Sequence, residues 1–291
     1  MEVGKVKKVA ERIGPVSTEF QRTVLVAPRR NGNLVRITRL SLGESRPALI
    51  FIPGFLSTEY TWSAVLSQLV QDYDILYVET HEKTARGHWG ASAAAFEIPR
   101  LAADLGEALA TVAEVGACGA VAASTGANLL IEAVAGAALP EPAWSVLVLP
   151  HERVPFPGWV SLTRRMRGWM VRLLQTTIVA VLEWKRRLIG LTRKQRGALY
   201  ATRSAEALVV RAAALEWRKY RLDLSKVEKL RSPTLVVAAS QDPMHSVNSA
   251  CTIAGRIDAT FVEVRSFKDA HDTPLVDGIR GWRSQIQAGE Q

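Results

Sequence analysis

Two cysteines, Cys118 and Cys251, are all that the 291 residues contain. A pair of thiols makes no disulfide framework, which points to a reducing compartment. Long apolar runs are scarce as well. The best stretch, Trp169 to Trp184, is interrupted by Arg172 and Gln175, whereas a membrane span needs about 18 or more predominantly apolar residues. The opening residues, MEVGKVKKVAERIG, carry no apolar core of a secretory signal. These absences together lead us to expect a cytoplasmic protein, with contact at a membrane periphery left open. The five histidines and two cysteines show no ligand spacing of the His-Glu-x-x-His or Cys-x-x-Cys kind, so no metal is expected. No glycine-rich phosphate loop or dinucleotide fingerprint is present, so no cofactor is expected either. Internal repeats and low-complexity tracts are also missing.

What is present is a chain with 48% hydrophobic and 22% charged residues, too apolar for disorder and long enough for one large domain with an insertion. The net charge of +9 is unevenly spread. Residues 151–231 hold nineteen Lys and Arg against six Asp and Glu, so this segment alone carries +13 and the remainder −4. The concentration of charge marks a separate structural unit.

The order of patterns suggests an α/β chain. Residues 1–19 form a polar, basic N-terminal extension. Thr23–Ala27 and Leu34–Leu40 are β-rich runs, separated by a segment whose Asn31-Gly32 is a hairpin signal. Pro47–Pro53, Tyr73–Val78, the run leading to Ser124, Trp144–Leu149 and Pro233–Ala239 are short apolar runs of the doubly buried kind, and Thr260–Val264 is a last strand. Helical patterns separate most of them: Thr58–Gln71, Pro99–Val115, the stretch after Ser124, Ser246–Arg256 and Pro274–Ile286. This alternation predicts a mostly parallel, doubly wound sheet opened by an antiparallel hairpin. Residues 151–230 interrupt it with helical patterns only. The expected organisation is therefore a core of 20–150 and 231–291 with an inserted all-helical unit at 151–230.

In an open α/β sheet the ligand site lies beyond the carboxyl ends of the parallel strands. Pro53-Gly54-Phe55-Leu56 follows one strand, Ser124 another, Asp242 a third, and His271 the last. Ser124 sits between Ala122 and Gly126, in a strand–turn–helix setting where small residues two positions either side let strand and helix pass closely.

These residues resemble those of the α/β-hydrolase family of esterases and lipases, over about Phe20 to Trp282. Ala122-x-Ser124-x-Gly126 is similar to the nucleophile elbow, with Ala for the first Gly. Ile52-Pro-Gly-Phe55 resembles the oxyanion strand end, with Pro53 where His is usual. Ala85–Ser92, which includes His88, resembles an Arg-Gly-His-Gly-x-Ser loop with one residue extra. Ser240-Gln-Asp-Pro243 resembles the acid loop, and Ala270-His271 the histidine loop with Ala for Gly. The order Ser, Asp, His is that of this family.

The resemblance implies a serine hydrolase that cleaves a carboxylic ester or thioester, with a lipophilic acyl group, through an acyl-enzyme on Ser124. His271 would be the base and Asp242 the acid, with Glu152, Asp269 and Asp272 as alternatives for the acid. The oxyanion donors would be the backbone N–H groups of Thr125 and of Phe55 or Leu56. His151 also follows a strand end, as a structural residue or one facing the pocket, whereas His81 and His245 carry no readable signal. The alternative is a non-catalytic protein of the same fold whose basic insertion is an interaction surface.

The insertion itself contains an apolar stripe at helical spacing, namely Met170, Leu173, Leu174, Ile178, Val181, Trp184 and Leu188. A second helical run spans Thr192–Arg221, with Gly197 as its weak point. In family members an insertion at this place is commonly a cap. Three roles are open for it: an apolar face packed on the core, a lid touching anionic lipid, or an electropositive patch for an acidic substrate. Nucleic acid is disfavoured, because no recognised binding module accompanies the charge.

Overall fold

The computed structural model describes residues 20–28, 34–79, 96–154, 156, 158–191 and 193–289. The expected N-terminal extension, the Asn31-Gly32 turn, His81 and the Ala85–Ser92 loop with His88 lie outside these residues.

Eight strands form one sheet in the order β1-β2-β4-β3-β5-β6-β7-β8. They are β1 (Gln21–Pro28), β2 (Leu34–Ser41), β3 (Ala48–Ile52), β4 (Asp74–Glu79), β5 (Gly119–Ala123), β6 (Trp144–Val148), β7 (Thr234–Ala239) and β8 (Thr260–Val264). β1 pairs with β2, and β2 with β4, antiparallel; every other pairing is parallel. The sheet is thus mostly parallel and opens with an antiparallel hairpin, as the run of β-rich segments predicts.

The short apolar strands lie inside because both of their faces are covered. On one face Ile50, Ile52, Ala120, Ala122, Leu147, Val236 and Ala238 join a core with helices α2 (Ile98–Ala110), α3 (Thr125–Ala135) and α8 (Val247–Arg256). The intervening residues Leu49, Phe51, Val121, Ala123, Val146, Val148, Leu235 and Val237 point the other way. There they pack with α1 (Ser63–Leu69) and α9 (Thr273–Gly289). This period of two explains why β3, β5, β6 and β7 read as continuous apolar runs instead of alternating ones. β8 ends the sheet and is only partly covered.

Between β6 and β7 all regular structure among the described residues is helical, apart from an isolated bridge between Arg153 and Arg221. A 3-10 segment (Gly158–Arg165) leads to α4 (Gly168–Ile189), α5 (Arg193–Ser204), α6 (Ala207–Trp217) and α7 (Leu224–Val227). The single run expected over Thr192–Arg221 is in fact two helices, and the break falls at Ala205-Glu206 and not at Gly197. The cause is a cap: the Glu206 carboxylate accepts from the N–H groups of Leu208 and Val209, at 2.8 and 2.9 Å, and starts a new helix there.

The helical segment is tied to the sheet by buried polar contacts. Trp217 is fully buried, and its indole N–H donates to the Phe96 carbonyl at 2.6 Å. On α3, Glu132 accepts from the Tyr220 hydroxyl and the Lys226 ammonium, each at 2.8 Å. α4 is fastened to α5 by Gln175, whose amide donates to the carbonyls of Thr202 and Ala205. The inward-facing side of α4 is thereby accounted for. Its apolar stripe is not packed on the core: Leu173, Val181, Trp184 and Leu188 are each more than half exposed.

Candidate active site

Ser124 joins β5 to α3 by a sharp turn, with φ 52° and ψ −120°. A positive φ is costly for a side-chain-bearing residue and persists where the surroundings hold it. The hold is visible. The Ser124 N–H donates to the Val148 carbonyl at 2.8 Å, and its own carbonyl accepts from Ala127. Space requires a glycine at 126 and favours one at 54. A Cβ on Gly126 would stand 2.3 Å from the Ile52 oxygen and 2.8 Å from that of Pro53, and one on Gly54 would stand 3.0 Å from the Ser124 Cβ. Ala122, by contrast, fits fully buried in the core, so Ala is tolerated there.

The Ser124 Oγ lies 3.0 Å from His245 Nε2, and His245 Nδ1 lies 2.6 Å from Asp242 Oδ2. With a carboxylate on Nδ1, that nitrogen carries the proton and donates it, which leaves Nε2 to accept from the serine hydroxyl. Both partners are shielded, the His245 side chain being 7% and the Asp242 side chain 2% exposed. Burial pushes the Asp242 carboxyl upward, but hydrogen bonds from the His245 ring and the Met244 N–H outweigh it and hold the group below its ordinary value. The acid is therefore ionised at neutral pH.

The geometry brings a different histidine to Ser124 than the expected His271, which follows β8. The hydrogen bonds of the Ser124 hydroxyl and of Asp242 instead meet on His245, at the end of the turn that Asp242 itself begins. His271 lines the same pocket, but its Nδ1–H donates to the Phe267 carbonyl at 2.8 Å. The nitrogen that an acid would orient is thus occupied. The ring is also clamped, with Trp62 and Phe267 at centroid distances of 4.1 and 4.0 Å. Trp62 is fixed in turn by its indole N–H, which donates to Ser57 Oγ. A readable signal for His245 exists in hindsight: Asp242-Pro-Met-His245 is a one-turn spacing inside a strand-end loop.

Two of the alternative acids have other work: Asp269 accepts from the Ser266 hydroxyl at 2.7 Å, and Asp272 accepts from the Thr273 N–H. Thr125 opens α3, so its N–H belongs to the helix end that makes no bond within the helix. Phe55, Leu56 and Thr125 all line the pocket with Ser124, and Leu56 takes a positive φ of 52°. Phe55 is pinned by edge-on contacts with Phe156 and Trp217, each at 5.1 Å.

His151, left open between structure and pocket, is 2% exposed, with its ring 5.8 Å from that of His245. Burial and then the neighbouring His245 lower its pKa to about 3, so it is neutral at physiological pH. Its carbonyl accepts from Asn128 on α3 at 2.9 Å.

The pocket over Ser124 has a volume of about 680 Å³. Besides the polar residues named, it is lined by Trp62, Leu149, Val154, Phe156, Met244 and Phe267, with Gly197, Ala198, Ala201 and Thr202 of α5 contributing from the helical segment. The lining is mainly apolar, with Lys268 and Asp272 adding charge at the wall, a form suited to small-molecule binding.

No protein-family model matches the chain, and no curated protein matches it in sequence. Solved structures do match. An esterase, RhEst1, from Rhodococcus sp. ECU1013 aligns over 90% of this chain and 98% of its own, at 16% identity and a TM-score of 0.68. An enol-lactonase from Burkholderia xenovorans LB400 aligns over 94% and 97%, at 14% identity and 0.59. A hydrolase from Pseudomonas aeruginosa PA01 aligns over 91% and 92%, at 15% and 0.58. At such identities the likeness is one of fold.

Proposed function

On the α/β-hydrolase fold, which this chain has, we propose that Ser124 is the nucleophile of a hydrolase acting on carboxylic esters or thioesters with an apolar acyl group. The observation that carries the reading is the chain Ser124 Oγ, His245 Nε2, His245 Nδ1, Asp242 Oδ2, with contacts of 3.0 and 2.6 Å. A serine hydroxyl is a weak nucleophile at its free pKa and needs an adjacent base. In this reading the Ser124 oxygen attacks the substrate carbonyl carbon while its proton passes to His245 Nε2. Asp242, held ionised, stabilises the imidazolium and keeps its tautomer.

The tetrahedral oxyanion would receive N–H groups from Thr125 and from Phe55 or Leu56. Each such donor is worth about 2.7–4 kcal/mol of barrier. Collapse of the intermediate expels the alkoxide or thiolate, which takes the proton from His245, and leaves the acyl group on Ser124. Water then repeats the sequence and frees the acid. The apolar lining supports a lipophilic acyl group, and the contribution of α5 to that lining supports residues 151–230 as a cap over the site. His271, clamped between two aromatic rings, serves in this reading as pocket wall and not as base.

The test is hydrolysis of p-nitrophenyl esters of rising acyl length by the wild type and by Ser124→Ala. Turnover by the wild type, rising with acyl length from acetate and reduced at least about 10³-fold in the variant, is expected. Turnover that survives the substitution unchanged would refute the assignment.

A further inference from the structure

The outer face of α4 is a long apolar surface on a segment that is strongly basic. Met170, Leu173, Thr177, Val181, Trp184 and Leu188 recur at steps of three and four, so they share one face over a helix about 33 Å long. Apart from Thr177 they are large and apolar, and the five are between 37% and 66% exposed. The opposite face is the one that holds the helix in place. There Val171 is buried, Gln175 bonds to two α5 carbonyls, and Glu183 pairs with Arg203 at 2.6 Å. The exposed stripe is therefore a surface left over after α4 has been fully anchored. Single exposed apolar residues are ordinary, whereas a contiguous row of this length marks an interaction site.

Charge indicates the occupant. Exposed Arg164, Arg165 and Arg167 precede the helix, and exposed Arg187 lies in its last turn. The stretch before it also borders a cleft of about 820 Å³ to which Arg164, Arg165, Arg211, Arg218 and Arg221 contribute. The exposed side chain of Leu162 lines that cleft too. A second copy of the chain laid on this face would bring another +13 against the first. A surface of negative charge over an apolar layer meets both features, and tryptophans such as Trp184 favour that boundary. Among the described residues no helix is long and apolar enough to cross a membrane, so the contact is along the surface. We infer that the outer face of α4 is a docking surface for an anionic lipid bilayer, with the stripe entering the acyl boundary and the flanking arginines meeting the headgroups.

This inference does not depend on the catalytic reading. Co-sedimentation would use the full chain with vesicles of phosphatidylcholine alone or with about 30% phosphatidylserine. Strong binding to the anionic vesicles, weaker by at least about tenfold on the neutral ones and reduced as salt rises, is expected. Leu173→Glu/Val181→Glu should abolish it, and Arg164→Glu/Arg165→Glu should weaken it severalfold. Ser124→Ala should bind as the wild type does, whatever its activity. The substituted side chains are exposed, and an unchanged melting temperature would certify the fold. Equal, negligible binding to both vesicles would overturn the inference. So would unimpaired binding by the folded Leu173→Glu/Val181→Glu protein. A wild-type dimer in light scattering that this variant reduces to a monomer would also overturn it, giving the face to a second copy.

Discussion

Replacing His151 by Phe removes a titration that the fold suppresses, and the size of the effect follows from burial. In the unfolded chain a histidine takes a proton near pH 6.5. In the folded protein burial, reinforced by His245, lowers the value to about 3. Between those values the unfolded state binds one proton more than the native state, so stability falls as pH falls. Above pH 6.5 both states are neutral and the penalty vanishes; below about pH 3 both are protonated and no more is lost. Going from pH 7 to pH 5, one linked proton costs about 2 kcal/mol. That is a large part of the 5–15 kcal/mol typical of a folded domain. Urea unfolding of wild type and His151→Phe at both pH values isolates it, because groups remote from residue 151 contribute to both proteins alike. The wild type should lose about 2 kcal/mol more than the variant between pH 7 and pH 5. Equal losses in the two proteins would refute the claim that His151 is held neutral by its surroundings.

Other expectations concern the scaffold around the serine. Gly126→Ala puts a Cβ 2.3 Å from the Ile52 oxygen, so strand and helix must separate; hydrolysis should fall at least about 10²-fold, and near-wild-type kcat/KM would contradict the close approach. Asp242→Asn should lower kcat on the order of 10⁴-fold with little change in fold, as read from steady-state kinetics and circular dichroism. Tyr220→Phe removes the donor 2.8 Å from the buried Glu132 and should cost about 1–3 kcal/mol in denaturant unfolding, while a change under about 0.3 kcal/mol would mean that Lys226 alone satisfies the carboxylate.

The sheet was legible because its strands are buried on both faces. Runs such as Ala48–Ile52 and Thr234–Ala239 are continuously apolar and bounded by Pro, Gly or Ser, which few other structures require. That Ser124 and Asp242 lie at one end of the sheet was legible because both follow strand ends, where topology concentrates polar groups. The histidine was not, because two of them, His245 and His271, follow the last two strands and both reach the pocket. Which one meets the serine depends on Nδ1, taken by Asp242 in one and by the Phe267 carbonyl in the other. The spacing Asp242-Pro-Met-His245 is the one sequence feature that bears on that choice, and it shows its meaning only once the loop is folded. The stripe of α4 shows the same limit. Periodicity reveals that Leu173, Val181 and Trp184 share a face, but it cannot say whether that face is covered. That was decided by Gln175 and Glu183, whose polar anchors turned the opposite side toward α5. The split of Thr192–Arg221 is hidden for a related reason, since Glu206 acts as a cap only where the chain turns.

The most direct test of the account compares the two histidines under one reagent. A fluorophosphonate probe reacts with a serine only when a base activates it. Labelling of the wild type should be lost in Ser124→Ala and reduced by orders of magnitude in His245→Ala, while His271→Ala, folded by circular dichroism, keeps most of it. Full labelling of His245→Ala together with loss in His271→Ala would contradict the account and return the base to the loop after β8.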